Sequence, residues 1–343
     1  MICNKFRLAE GILHNRSCPE RLLVVGAMLL LVAGCASAPA DKPVTTESSK
    51  YADLYDSKMA ATHATELPVA TAEEARMRGD QALRNGDMDL ALYLFIQALQ
   101  LDENDATTLT KIGAIHASRD NLNLAEIAYW QALRINPDNA TALTELGLIM
   151  LKKRQYPQAR DKLTHSLNVT NQQWRAHNAL GIVADMEGNH TEAALHYREA
   201  LKIRPESPML LNNLGYSLYL SEDRAGALKV IRQALDNDPN YKLAWQNLGL
   251  LYARERNYTA AVDAFSHAME LYKAYNDVGY LAMLDGNYQL SEDYLVKAIK
   301  LCPSYYEAAH SNLARARNLS ASSNVSDNGG GLVESVKIHD MGN

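Results

Sequence analysis

The sequence has little with which to build a sheet, a disulfide scaffold or a nucleic-acid surface. Phenylalanine and tryptophan occur three times each among 343 residues, whereas tyrosine occurs 18 times, so packing must fall to Leu, Ala and Tyr. Extended alternating runs of Val, Ile and Thr are missing, which argues against β-structure. The net charge of -6 comes with no clustered basic face, so nucleic acid is not an expected partner. Catalytic spacing is missing too. The histidines are scattered, His190 and His196 do not share a helix face, and Cys302 has no close partner for zinc. The glycine run at 328–332 lacks the strand and helix that frame a phosphate loop. The expectation is therefore no enzyme, no cofactor and no metal.

No apolar run is long enough to span a bilayer as a helix, which takes about 20 residues. The longest, Leu22 to Val32, follows a leader carrying Lys5, Arg7, Arg16 and Arg21 and fits the apolar region of an export signal. It ends in Val32-Ala33-Gly34-Cys35, which resembles the lipobox of bacterial lipoproteins. That resemblance implies cleavage of 1–34, acylation of Cys35 with palmitate-type chains, and, because Ala36 is not aspartate, sorting to the outer membrane with a periplasmic protein body. Several acyl chains anchor stably where one does not. With Cys35 acylated, Cys302 has no cysteine left to pair with. Residues 35–70 are small and polar and carry Pro39, Pro43 and Pro68, so they are expected to form a flexible spacer.

Beyond the spacer the chain repeats. Gly79, Gly113, Gly147, Gly181, Gly215 and Gly249 are spaced 34 residues apart, and Gly279 follows after 30. Glycine inside a helix costs about 1 kcal/mol against alanine, so its recurrence calls for a packing reason. Around Gly249 stand Trp245, Leu248, Tyr252, Ala261, Phe265 and Ala268. This resembles the tetratricopeptide repeat at nearly every signature position. The resemblance implies an all-α, right-handed superhelical solenoid of about seven helix pairs, with glycine where paired helices approach. The units fall near 72–105, 106–139, 140–173, 174–207, 208–241, 242–271 and 272–305, followed by a capping helix at 306–319 within a solenoid of 71–319. The missing four residues lie between Ala268 and Gly279, which predicts a tighter turn near Tyr272. Residues 320–343 have no core pattern and are expected to be disordered.

A solenoid of this kind offers a concave face lined by the first helix of each unit. The residue after each glycine and the one three before it are expected to face that groove. Leu148, Ile182, Tyr216, Leu250 and Tyr280 form an apolar and tyrosine strip, and Asn178, Asn212, Gln246 and Asn276 form an amide ladder beside it. Amides both donate to and accept from a bound backbone. Lysine and arginine are missing from the carboxylate-clamp positions of units four to seven apart from Arg254, so a neutral amphipathic helix or extended linker is the expected occupant.

The lipobox, the spacer, the repeats and the segments "LNNLGYSLYLSEDRAGAL" and "NDVGYLAMLDGNYQLSEDYLVKAI" together resemble the tight-adherence protein D lipoproteins of Flp-pilus assembly. They are similar in plan to the pilotins of type IV pili. The resemblance implies a protein-binding scaffold whose partner is a secretin or a pilus assembly subunit. The alternative expectation is a lipid-anchored adaptor docking periplasmic proteases or peptidoglycan enzymes. The sequence leaves the oligomeric state open.

Overall fold

The computed structural model describes Leu54 and residues 69–328, with side chains through 322. The described residues form fifteen α-helices and no strand. In chain order they are α1 (Ala72–Arg84), α2 (Met88–Leu101), α3 (Ala106–Ser118), α4 (Leu122–Ile135), α5 (Ala140–Lys152), α6 (Tyr156–Val169), α7 (Trp174–Met186) and α8 (His190–Ile203). There follow α9 (Pro208–Leu220), α10 (Arg224–Asn237), α11 (Lys242–Arg254), α12 (Tyr258–Ser266), α13 (Leu271–Leu284), α14 (Tyr288–Leu301) and α15 (Glu307–Asn328). The chain divides inside α7 into a first body ending at Val183 and a second continuing from Ala184. In the first body α1 packs on α2, α3 on α4 and α5 on α6. In the second, α9 packs on α10, α11 on α12 and α13 on α14, with α15 against α13 and α14.

Local chemistry sets the helix ends. Asp105, Asn139, Ser207 and Asp223 each accept a hydrogen bond from a backbone N–H of the first turn, satisfying donors that the helix itself leaves free. The first helix of a pair ends in a left-handed residue. At Gly86 the N–H donates to Leu83 O, while the next N–H, of Asp87, donates to Ala82 O. That is the Schellman pattern. It recurs with positive φ at Asp120, Arg154, Gly188, Glu222, Arg256 and Gly286. Only three of these seven turns use the residue best suited to that backbone.

The repeated helix glycine has a steric cause. A methyl group at Gly113 would stand 2.6 Å from Tyr129 Cε1, and one at Gly147 would stand 2.6 Å from Leu163 Cγ. Gly79 meets Phe95, Gly215 meets Ile231, Gly249 meets Phe265 and Gly279 meets Leu295 in the same way. Each partner lies sixteen residues on, in the second helix of the pair. Phe95, Tyr129, Leu163, Ile231, Phe265 and Leu295 are essentially fully buried. Each contributes on the order of 1.5–3 kcal/mol by leaving water.

Two expectations need correction. The four missing residues do not tighten a turn near Tyr272, which lies in the first turn of α13. They shorten α12, which has nine residues where the other second helices have 14, while α13 has 14 residues rather than 13. The helix lost about a turn at its end. The tail does not become irregular at Ser320, since α15 continues to Asn328, and residues 329–343 lie outside the described residues. Leu54 is fully buried, and the other residues of 35–68, expected to form the spacer, lie outside the described residues. Cys35 and the leader lie outside the described residues.

Candidate partner-binding site

The expected amide ladder is not presented to solvent. Asn178, Asn212 and Asn276 are buried, and Gln246 is half-buried. Asn212 Oδ1 accepts from Asn247 Nδ2 at 2.8 Å, and Asn276 Oδ1 accepts from Asn312 Nδ2 at 3.0 Å. These amides join the first helix of one unit to that of the next. Spacing alone placed them on one face without showing that the following unit covers it. The apolar strip divides as well. Ile182 and Leu250 are buried, whereas Leu148, Tyr216 and Tyr280 are half-buried.

Within the second body the strip leads to a cleft. Tyr216 stacks on Tyr219, with ring centroids 6.1 Å apart. Tyr219 lines a cleft of 310 Å³ at the C-terminal ends of α9, α11 and α13. Its apolar wall comes from Leu220, Leu250, Ala253, Leu281 and Leu284. Leu284 is 54% exposed, an apolar surface that the fold leaves wet.

Four charged residues line the same cleft: Glu222, Arg224, Arg254 and Asp285. The Asp285 carboxylate is held by the Tyr258 hydroxyl, which donates to Oδ2 at 2.8 Å. Burial, then this hydrogen bond, pushes the Tyr258 phenol up to about 12, so it remains a donor at neutral pH. Arg224 and Arg254 differ in that, among the described residues, neither guanidinium is engaged by a carboxylate. Arg254 lies on the first-helix face that the spacing picks out, whereas Arg224 opens α10, a second helix, outside that pattern. With Glu222 and Asp285 beside Arg224 and Arg254, the opening carries charges of both signs next to an apolar wall.

A second polar cluster lies between α7, α8 and α9. Asp185 accepts from His190 Nδ1 at 2.9 Å, from Tyr197 Oη at 2.9 Å and from Ser217 Oγ at 2.8 Å. The residue types suggest a hydrolytic triad, but the order is wrong. The aspartate stands between the serine and the histidine, whereas a nucleophilic serine needs the imidazole at its own oxygen. Ser217 is fully buried and also meets His190 O at 3.1 Å. This cluster holds three helices together.

Three tetratricopeptide-repeat family models match the chain, at residues 128–161, at 145–208 with 212–274, and at 272–305. No curated protein matches it in sequence. Among solved structures, a tetratricopeptide repeat protein from Parabacteroides merdae is 15% identical with a TM-score of 0.51, covering 72% of this chain and 99% of that one. The Cut9-Hcn1 hetero-tetramer of APC/C is 18% identical with a TM-score of 0.53, covering 76% of this chain and 51% of that one. A structure described under the functional characterization of Pseudomonas aeruginosa pilF is 20% identical with a TM-score of 0.49, covering 63% of this chain and 98% of that one. The first two likenesses establish the fold, an all-α solenoid of helix pairs.

Proposed function

This chain is a tetratricopeptide-repeat protein, and on that premise we propose that it is an outer-membrane lipoprotein scaffolding the assembly of a Flp or type IV pilus. The repeat fold is typically a non-catalytic scaffold that binds protein partners. The binding reading is carried by the cleft at Tyr219, Leu250 and Leu284, where apolar surface and the guanidiniums of Arg224 and Arg254 share one opening. At 310 Å³ it is at the small end of ligand sites, enough for one or two side chains of a bound segment. The anchor is supported by Val32-Ala33-Gly34-Cys35 behind a basic and apolar leader. The pilus assignment is supported by the tight-adherence-like segments around Gly215 and Gly279.

The test is in-cell photo-crosslinking from position 219 with Cys35 intact, followed by mass spectrometry of the adduct. A secretin or pilus subunit supports the assignment. A periplasmic protease or peptidoglycan enzyme points to the alternative, a lipid-anchored adaptor. Adducts from a probe at Leu195 on α8, with none from position 219, would reject the cleft. Palmitate labelling lost in Cys35→Ser checks the anchor separately.

A further inference from the structure

The third residue after each helix glycine is Ala82, Met150, Ala184, Leu218, Tyr252 or Ala282 in six units and His116 in the remaining one. His116 is 3% exposed, and a buried ring N–H must find an acceptor. Nε2 lies 2.9 Å from the carbonyl oxygen of Leu54, 62 residues earlier in the chain. A carbonyl only accepts, so a proton sits on Nε2. Nδ1 is buried and, among the described residues, has no partner. Leu54 itself is 0% exposed. Removing a leucine side chain fully from water is worth as much here as in a core, so the contact is more than a chance brush of a loose segment.

We infer that the C-terminal half of α3 carries a slot for one leucine and its backbone carbonyl, and that Leu54 of this same chain occupies it. The histidine reads the carbonyl, and the enclosure reads the side chain. The occupant is in hand, so no outside partner need be invoked. The slot is separate from the cleft of the second body, and its assignment does not rest on the proposed function.

One consequence concerns reach. A tether running from Cys35 to the first helix would span at most about 130 Å, counting about 3.3–3.6 Å per extended residue. Pinned at Leu54, it keeps roughly half of that.

The experiment uses the full chain and diethyl pyrocarbonate at neutral pH, with modification of each histidine mapped by mass spectrometry. In the unsubstituted protein His116 should be protected relative to His165, whose side chain is 41% exposed. Leu54→Asp should raise the His116 rate about tenfold or more without moving that of His165, and Leu54→Met, which keeps the bulk, should leave it protected. Because residue 54 precedes the repeats, the aspartate variant should keep its helical circular dichroism. Equal protection of His116 in both variants would overturn the assignment, as would a His116 as reactive as His165 in the unsubstituted protein.

Discussion

The two bodies use the same position differently. Three residues before the helix glycine the first body has Arg76, Thr110, Thr144 and Asn178, and the second has Asn212, Gln246 and Asn276. Thr110 Oγ1 donates to Ala106 O at 2.8 Å, one turn back on its own helix. Thr144 Oγ1 and Ser166 Oγ lie 2.7 Å apart, and Ser166 donates to Ala140 O at 2.8 Å, so the bond closes α5 on α6 within one unit. Asn212 and Asn276 instead reach the amides of Asn247 and Asn312, one unit further on. Thr110 Oγ1 also accepts from Asn139 Nδ2, at the N-cap of α5, at 3.1 Å, so a hydroxyl reaches the start of the next first helix, whereas a carboxamide bridges to a residue within it. One spacing therefore serves packing of a helix pair at Thr144 and links between successive first helices at Asn212 and Asn276.

That contrast is open to measurement against a feature both bodies share. Gly113→Leu and Gly215→Leu should each lower stability by about 3 kcal/mol in urea titrations, because both glycines face a buried side chain of the partner helix. A large difference between them would mean the two pairings are not equivalent. Next in size, Asn212→Leu removes one partner of a largely buried amide pair and should cost about 2 kcal/mol, while Thr144→Val should cost about 1 kcal/mol. Equal losses would erase the distinction drawn above.

Smaller and of opposite sign are Arg154→Gly and Arg256→Gly, one in each body, at φ of 61° and 59°. Each should gain about 1 kcal/mol by relieving a left-handed residue, read as a higher melting temperature. The smallest effect is on pH dependence and belongs to the first body. Burial, partly offset by the bond to Leu54 and reinforced by Arg119, holds His116 below its ordinary 6.5. The undocked imidazole takes its proton first, so docking is complete above that value and weakens as the pH falls below it. An NMR titration of the His116 ring, lost in His116→Gln, would show this.

How much the sequence revealed follows from which contacts are periodic. The glycine spacing was legible because the steric need recurs in every unit with its partner at a fixed distance along the chain. The left-handed turns share that period, but Asp120, Arg154, Glu222 and Arg256 hide it behind charged side chains. Four absent residues between Ala268 and Gly279 were countable, yet a shorter turn and a shorter helix look alike until α12 is seen to end at Ser266. The amides share one spacing, but their burial depends on what the following unit lays over them, which spacing does not show. Asp185, His190, Tyr197 and Ser217 have no shared spacing, and Leu54 is one leucine in a polar stretch. Nothing local marks either.

The glycine contact also says something about time. Gly113 meets Tyr129 and Gly215 meets Ile231 across sixteen residues of chain, so the central contact of a unit closes a short loop at small entropic cost. Contacts of such low sequence separation favour fast folding. A unit is able to close as soon as its second helix is free, and the amide pairs at 35 and 36 residues need only the next unit's first helix to arrive. Such a chain can assemble in the order in which it is delivered, each pair waiting on its immediate successor and on nothing further along.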